Sequence, residues 1–582
     1  MFRKLLIANR GEIAVRVIRT AKEMGLHTVA VYSERDRDAL HVQMANEAFL
    51  LGEPAPALSY LNVERIIGIA RQSGAQAVHP GYGFLSENAS FARAVIDAGL
   101  VWVGPHPRAI EIMGDKVRAR NAMLQAGVPI VPGGTVALSD LSAVREAGRA
   151  FGFPLALKAS GGGGGKGLKV ARTLGELEAA FITATREAQA YFNNPAVYAE
   201  RYLDNPKHIE LQVLADKYGA LVHLGERDCS LQRRHQKVWE EAPAHIDPAV
   251  GRELREAGLK ASRAIEYDSV GTIECLVSGN DFYFLEMNTR IQVEHTVTEM
   301  ITGIDLIREQ LRVAAGEPLG YAQDDIRFFG HAIEGRINAE DPAHNFRPSP
   351  GVVSAYREPA GPGVRIDSAA SSGFSVAPDY DSMIAKLIVW APTRDHALAR
   401  LRRCIEEYVI EGVPTTLPLL LALSNEPEVV DADYGTATLE DFTEHRFPAE
   451  EHASDAPPAI GSAKRPDDII RMEVNDKLYR VRLVDSPRSI GAHTLSVAPR
   501  LANRSKRPTS AAGSEIQAPM HGIVVALLCH QGSTVKEGEV VAVIEAMKMM
   551  NEVHAHKAGT VATVHVGAGD NVEALSPLVT LE

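Results

Sequence analysis

A chain of 582 residues exceeds what one hydrophobic core organises, so three or more domains are expected. Its 45% hydrophobic and 23% charged residues are ordinary for a globular protein, and 61 basic against 74 acidic side chains, a net charge of −13, argue against a general nucleic-acid binder. No apolar run reaches the roughly 18 residues of a membrane span, and Arg3, Lys4 and Arg10 surround too short an apolar core for a signal peptide. Cys229, Cys275, Cys404 and Cys529 stand too far apart for a zinc spacing or a disulfide framework, so a reducing, cytoplasmic location is expected.

The chain opens on a βαβ pattern, with strands expected at 5–9 and 28–32 and a helix at 12–22. Gly11 stands alone at the first turn, where a dinucleotide site requires three spaced glycines, so NAD binding is rejected. Residues 75–79 and 101–104 read as further strands of the same sheet. Pro80-Gly81-Tyr82-Gly83 is a turn at a strand end, where open α/β sheets place ligands. Farther on, Lys158-Ala159-Ser160 runs into five glycines, Gly161 to Gly165, and then Lys166-Gly167. Ser160 and Gly167 occupy the places where a P-loop has Gly and Ser or Thr, so Walker chemistry fails at both ends. The flanks read as strands, and the glycines between them as a mobile hairpin whose N–H groups close around phosphate oxygens.

Residues 282–288 read as a strand that turns Glu286 and Asn288 to one side, and Glu274 ends a neighbouring apolar run. Two carboxylates and an amide, all oxygen donors, suit Mg²⁺ bridging phosphates. Arg290-Ile291-Gln292-Val293-Glu294 is also read with strand alternation, placing Arg290, Gln292 and Glu294 on one face as cation, amide and base.

Over residues 1 to about 447 the chain resembles the ATP-grasp fold and, within it, biotin carboxylase. The matching stretches are Leu5 to Glu12, His79 to Asn88, Gly114-Asp115-Lys116-Val117, Lys158 with its glycine loop, Glu200-Arg201-Tyr202-Leu203, Glu226 through Lys237 and Glu286 through His295. The resemblance implies that Lys116, Lys158 and His208 hold ATP phosphates, with Gly163, Gly164, Gly165, Gln232 and His235 also at the nucleotide. It implies Glu200, Arg201 and Leu203 at the adenine, and Glu274, Glu286 and Asn288 at Mg²⁺ or Mn²⁺. A guanidinium fork with an amide donor matches bicarbonate. Arg290, Gln292 and Val293 are thus expected at that substrate, with Glu294 as the base and Lys237 as a further catalytic residue. Arg336, in Gly335-Arg336-Ile337-Asn338-Ala339-Glu340-Asp341, is expected to stabilise the biotin enolate, and Tyr82 to contact biotin. Leu168 stands where the family has methionine beside adenine, a conservative departure. Asp379 to Lys386 matches a later family motif and is read as structural or interfacial. Cys229 is read as a small buried residue rather than a nucleophile.

After Phe447 the composition shifts. Residues 448–468 and 501–514 read as linkers around a small β unit at 469–500, with Asn475-Asp476 as its turn. Near the C-terminus Gly522 and Gly559, Gly532 and Gly569, Val535 and Val572, and Glu545 and Glu582 all stand 37 residues apart. One short-strand pattern is therefore used twice, and the segment carrying Lys548 joins the halves. Ala546-Met547-Lys548-Met549 and Ala518-Pro519-Met520-His521-Gly522 resemble the biotinyl domain of biotin-dependent carboxylases, which implies biotin in amide linkage on Lys548. Lipoyl domains share that fold, but their lysine lacks the flanking methionines. Residues 523–531 are too few for the protruding thumb of some bacterial carriers.

The expected architecture is an α/β multidomain chain. It has a Rossmann-like N-terminal domain (1–115), an ATP-grasp centre (116–330) with a lid at about 131–203, a C-terminal α+β subdomain (331–447) and an all-β biotinyl hammerhead domain (515–582). The expected function is ATP- and bicarbonate-dependent carboxylation, through carboxyphosphate, of biotin held on the chain's own carrier. Nothing after Glu582 remains to transfer the carboxyl group, so a separate carboxyltransferase subunit is expected. Its expected acceptor is a short acyl-CoA (acetyl- or propionyl-CoA), with pyruvate as the alternative. The resemblance also implies a biotin protein ligase as partner and a homodimer of the carboxylase part or a larger complex. Two readings of other classes are a different ATP-grasp ligase with an amine acceptor and a non-catalytic biotin-carrier scaffold. The pentapeptide 290–294 and Lys548 disfavour the first, and the unsubstituted catalytic positions disfavour the second.

Overall fold

The computed structural model describes residues 1–134, 137–138, 140–159, 168–192, 194–233, 236–447, 469–474, 477–482, 514–520, 522–546, 549–572 and 575–582. The glycine stretch with Gly163, Gly164 and Gly165, the linkers at 448–468 and 501–513, and His235, Asn475, Asp476, His521 and Lys548 lie outside the described residues.

The N-terminal part is a parallel sheet of β1 (Lys4–Ile7), β2 (His27–Ser33), β3 (Glu47–Gly52), β4 (Ala77–His79) and β5 (Val101–Trp102), ordered β3-β2-β1-β4-β5. The near-continuous apolar runs of β1 and β4 are buried, as parallel strands covered on both faces require. Helix α1 (Gly11–Glu23) buries Ile13, Val17 and Ile18 against them. The expected strands form, and β3 joins them: its EAFLLG run has no strict alternation to announce it. After β4 the chain turns at Gly81, whose φ of +64° suits glycine and where a Cβ would lie 2.8 Å from Asn9 Nδ2. Asn9 Nδ2 donates to Pro80 O at 2.6 Å and Tyr82 O at 2.8 Å, which fixes that turn.

A three-stranded antiparallel sheet follows, of β6 (Leu155–Ala159), β7 (Leu168–Ala171) and β8 (Val197–Arg201), with β6 central. Leu155, Leu157, Val197 and Ala199 pack there with Val144 and Leu177 into a small core of the expected lid. The large sheet has eight strands. β9 (Lys207–Ala215), β10 (Leu221–Arg233), β11 (Gln236–Ala242), β12 (Val270–Ser278), β13 (Asp281–Asn288) and β14 (His331–Asn338) are ordered β13-β12-β9-β10-β11-β14, then Met383–Ala391 and Val364–Ser368. Hydrogen bonding from β11 to β14 carries this sheet across the boundary expected at 330/331. The 331–447 segment therefore extends the ATP-grasp sheet while adding its own core around Ile333, Leu387, Leu401 and Leu420.

Residues 290–294, read with strand alternation, are instead the turn between β13 and the helix His295–Thr302. The strand ends at Asn288, and burial of Ile291 in the apolar core beside Leu5 and Leu306 bends the chain inward.

At 469–482 the described residues form an antiparallel hairpin, Ile469–Val474 with Lys477–Arg482. The C-terminal unit has two four-stranded sheets. One orders Glu515–Gln517, Pro577–Leu581, Gly559–Val564 and Thr534–Val535, and the other Met549–His554, Val540–Ala546, Gly522–Leu527 and Asn571–Val572. The two repeat halves exchange strands: Thr534–Val535 pairs in the second half's sheet and Asn571–Val572 in the first's. The halves cannot separate without opening the shared core of Ile516, Val524, Ile544, Val561 and Leu578. Gly522 is required by close approach, since a Cβ there would lie 2.5 Å from Glu545 O. Ala546 pairs with Met549 where the strands Val540–Ala546 and Met549–His554 meet.

Candidate active site

Strand register brings four ionisable side chains into one row. Arg227 on β10 is opposite Glu210 on β9, Glu210 is opposite Glu274 on β12, and Glu274 is opposite Glu286 on β13. Like charges directly opposite one another are unfavourable unless cations intervene. Here they do. Lys237 Nζ donates to Glu210, to Glu274 Oε1 at 3.0 Å and to Glu294 Oε1 at 2.8 Å. Arg227 donates to Glu210 Oε2 through Nη2 at 2.9 Å and Nε at 3.1 Å. Burial would lower the Lys237 ammonium, but the three carboxylates outweigh it and hold its pKa well above the lysine range. Burial would likewise raise Glu294, yet Lys237, Arg336 and Arg227 keep its carboxyl below the usual range, so it is ionised at neutral pH.

Arg336 reaches Glu294 from the other side, its Nη2 donating to Oε2 at 3.0 Å while its Nε donates to Glu240 Oε1 at 2.6 Å. Arg290 donates to Glu87 Oε2 at 2.9 Å, Asn288 Oδ1 at 2.6 Å and Ile291 O at 3.1 Å. Gln292 Nε2 donates to Glu274 Oε1 at 2.8 Å, and its carbonyl accepts from Arg227. Arg290, Gln292, Val293 and Glu294 thus converge on one cavity although no strand aligns them. Turn geometry, with Val293 O accepting from the buried Lys386 Nζ at 2.9 Å, replaces the expected alternation.

The cavity encloses about 660 Å³. Val131, Leu168, Leu203, Leu276 and Leu285 give its wall apolar surface, and Glu200 and Arg201 line it too. Lys116, Lys158, His208 and Gln232 line it as well. Lys116 is placed by a helix start: Asp115 caps Lys116–Gln125 by accepting from Val117 N and Arg118 N at 3.0 and 2.9 Å. Lys158 donates to Glu200, which Arg120 also holds at 3.3 Å. His208 lies 3.1 Å from Glu274 Oε2. Burial opposes its charge, but Glu274 and Glu210 raise it to about 9, so it is an imidazolium at neutral pH.

Two groups of possible metal donors occur among the described residues, His208 with Glu210 and Glu274, and Glu210 with Cys229 and Glu294. Glu210 is already paired with Arg227 and Lys237. Glu274, Glu286 and Asn288 fit a hard divalent cation better. They are oxygen donors on neighbouring strands at the cavity wall, and Glu286 is held above the usual carboxylate range by burial and by the Glu274 charge. A cation there would relieve that repulsion.

Tyr82 does not line the cavity; its hydroxyl donates to Glu12, which lies 3.4 Å from Lys386 Nζ. Through Lys386 this chain ends on Val293 O. Cys229 is fully buried, and burial followed by the Glu210 charge pushes its thiol well up, so it is not a nucleophile. Sequence reasoning missed Glu210, Glu240 and Glu87. Each reads as a solvated lone acid in the sequence; strand pairing reveals the partners of Glu210 and Glu240, and the approach of two distant turns those of Glu87. Glu210→Ala is expected to lower carboxylase stability by about 3 kcal/mol, because Arg227 stays buried without its carboxylate. Thermal unfolding of the variant checks this.

Four family models match the chain: Biotin carboxylase, N-terminal domain (1–110), Carbamoyl-phosphate synthase L chain, ATP binding domain (115–322), Biotin carboxylase C-terminal domain (334–441) and Biotin-requiring enzyme (514–581). The Biotin-dependent acyl-coenzyme A carboxylase alpha3 subunit of Mycobacterium leprae is 45% identical over 97% of this chain and 96% of that protein. This chain belongs to the biotin carboxylases. It is an ATP-dependent biotin carboxylase with a biotin-carrier domain on the same polypeptide. A pyruvate carboxylase subunit of Methanothermobacter thermautotrophicus is 49% identical over 73% of this biotin carboxylase and 86% of that protein. The biotin carboxylase domain dimer of Hydrogenobacter thermophilus 2-oxoglutarate carboxylase, solved with MgADP, ADP and bicarbonate, superposes with a TM-score of 0.72 at 49% identity. That match covers 76% of this chain and 98% of the other. The fold class expected from sequence is therefore found, from the Rossmann-like sheet to the all-β carrier.

Proposed function

We propose that this biotin carboxylase uses ATP and bicarbonate to carboxylate biotin held on Lys548 and supplies the carboxyl group to a separate carboxyltransferase that acts on a short acyl-CoA. The observation that carries the half-reaction is the position of Glu294, ionised and gripped by Lys237 on one oxygen and Arg336 on the other. Arg290 and Gln292 supply a guanidinium and an amide donor for bicarbonate beside it, and Val293 closes that wall. Glu294 takes the bicarbonate proton, and the bicarbonate oxygen attacks the γ-phosphorus of ATP as its bond to the β,γ-bridging oxygen breaks, giving carboxyphosphate and ADP. Lys237 is shared between Glu294 and the phosphate end of the cavity. Its recruitment by phosphate oxygens would strip a cation from Glu294 and raise the affinity of that carboxylate for the proton. Arg336 then faces the biotin ureido oxygen as charge develops.

Lys116, Lys158 and His208, together with Gly163, Gly164 and Gly165, serve the nucleotide phosphates, and Gln232 and His235 also contact the nucleotide. Glu200, Arg201 and Leu203 border the adenine. Mg²⁺ on Glu274, Glu286 and Asn288 would neutralise phosphate charge. Tyr82 acts on biotin through Glu12, Lys386 and the Val293 carbonyl. No helix among the described residues is long and apolar enough to cross a membrane, and the four cysteines are free and buried, which supports the cytoplasmic reading.

Likeness along nearly its full length to an acyl-CoA carboxylase alpha subunit supports the acyl-CoA acceptor. Likeness to a pyruvate carboxylase subunit favours pyruvate as the second reading. A homodimer of the carboxylase part and a biotin protein ligase complete the expected partners. The test is ATP hydrolysis by the purified chain with and without bicarbonate, alongside its intact mass. Bicarbonate-dependent turnover and a biotin-sized mass increase on Lys548 are expected. Turnover that ignores bicarbonate on an unmodified Lys548 overturns the reading. Carboxyltransferase assays with acyl-CoA and with pyruvate then separate the acceptors.

A further inference from the structure

Behind Arg336 lies a pair of acids that the reaction described above does not use. Glu240 on β11 and Glu334 on β14 occupy directly opposite positions of neighbouring antiparallel strands, and both are fully buried. Each uses one carboxylate oxygen: Glu240 Oε1 accepts from Arg336 at 2.6 Å, and Glu334 Oε2 accepts from Thr296 on the helix His295–Thr302. Glu240 Oε2 and Glu334 Oε1 have no hydrogen-bond partner among the described residues. The charged groups facing Glu240 are Arg336, Glu334 and Glu294. Those facing Glu334 are Lys386 on the next strand, then Arg336 and Glu294.

Two ionised carboxylates on opposite strand positions repel, and a buried oxygen without a donor is costly. A single proton removes both penalties, because a protonated carboxyl donates to the bare oxygen of its neighbour and leaves one negative charge between them. We propose that Glu240 and Glu334 hold one proton in common and, as a singly charged pair, position Arg336 against Glu294. The full burial of both carboxyls agrees. Burial, opposed chiefly by Arg336 for Glu240 and by Lys386 for Glu334, raises both above the usual carboxylate range, and the ion pair with Arg336 keeps the charge on Glu240 and the proton on Glu334. Glu240 and Glu334 are positioning residues, for neither lines the cavity. A pair carrying two charges would draw Arg336 away from Glu294, and an uncharged pair would release it.

The positioning half of this inference rests on the roles given above to Arg336 and Glu294; the shared proton does not. Both halves are tested in the full-length biotinylated chain with Glu334→Gln and Glu240→Gln, whose amides keep the shape. A carboxyl that keeps its proton longer in the folded state than in the unfolded one makes stability fall as pH rises from about 5 to 8 and level off above. The unfolding temperature of the wild type is expected to drop across that window by a few degrees more than that of Glu334→Gln. In bicarbonate-dependent ATP turnover, Glu334→Gln, which makes the neutral partner permanent, is expected to cost less than about threefold and to flatten the alkaline limb. Glu240→Gln removes the charge that holds Arg336 and is expected to lower kcat about tenfold or more, with the KM for ATP within about twofold. Parallel stability curves for the wild type and Glu334→Gln, or equal kcat losses in the two variants, overturn the proposal. A wild-type chain that fails to turn over ATP with bicarbonate, while the stability curves still diverge, overturns the functional reading and leaves the shared proton standing.

Discussion

Glu294→Gln is expected to lower bicarbonate-dependent ATP turnover and biotin carboxylation by about 10²- to 10⁴-fold, the range a positioned general base supplies. The amide is nearly isosteric, so the turn 290–294 and the buried Lys386 contact to Val293 O are retained. What changes is charge. Lys237 would still bind Glu210 and Glu274 and so keep its place in the cavity wall. Arg336 would lose one of its two carboxylates and keep Glu240. The loss should therefore fall on kcat, with the KM for ATP changed far less. Since Lys237, Arg336 and Arg227 already hold Glu294 below the usual carboxylate range, the wild type should show no acid limb from this group near neutral pH. Carboxylation that survives in the variant would remove Glu294 as the base and point to a phosphate oxygen in its place.

Lys548→Arg should abolish carboxyl transfer altogether. Arginine keeps the positive charge and the length of the side chain but offers no amine that can form the amide with biotin. Intact mass should show no biotin-sized increase, and a carboxyltransferase given the variant should form no product above background. The carboxylase part should still turn over ATP when free biotin is supplied at high concentration. Tethering raises the local concentration of biotin to the millimolar range without altering the carboxylase cavity, whose lining residues all lie between 116 and 440. Carboxyl transfer by the variant would place the attachment elsewhere.

Elements that depend on local chemistry were legible in the chain before any fold was known. The βαβ start, the strands on either side of the glycine stretch and the doubled pattern near the C-terminus all follow from periodicity and glycine spacing, and the structure contains each of them. The motif at Lys548 and the acid-rich strand at Glu286 were legible for the same reason: the residues that matter lie close together in the chain. Other features exist only once the sheets are assembled. The row Arg227, Glu210, Glu274 and Glu286 draws on four strands whose order, β10-β9-β12-β13, departs from their order in the chain. No local pattern marks Glu210 as the centre of that row or Lys237 as the cation shared by three carboxylates. The pentapeptide 290–294 shows the same limit in reverse. Its Arg290, Gln292, Val293 and Glu294 line the cavity together, but alternation gave the wrong geometry, because burial of Ile291 and the Lys386 contact bend the chain into a turn. Charge pairing across a sheet depends on register between distant strands, and register is set by packing of the whole core, which short-range sequence cannot encode.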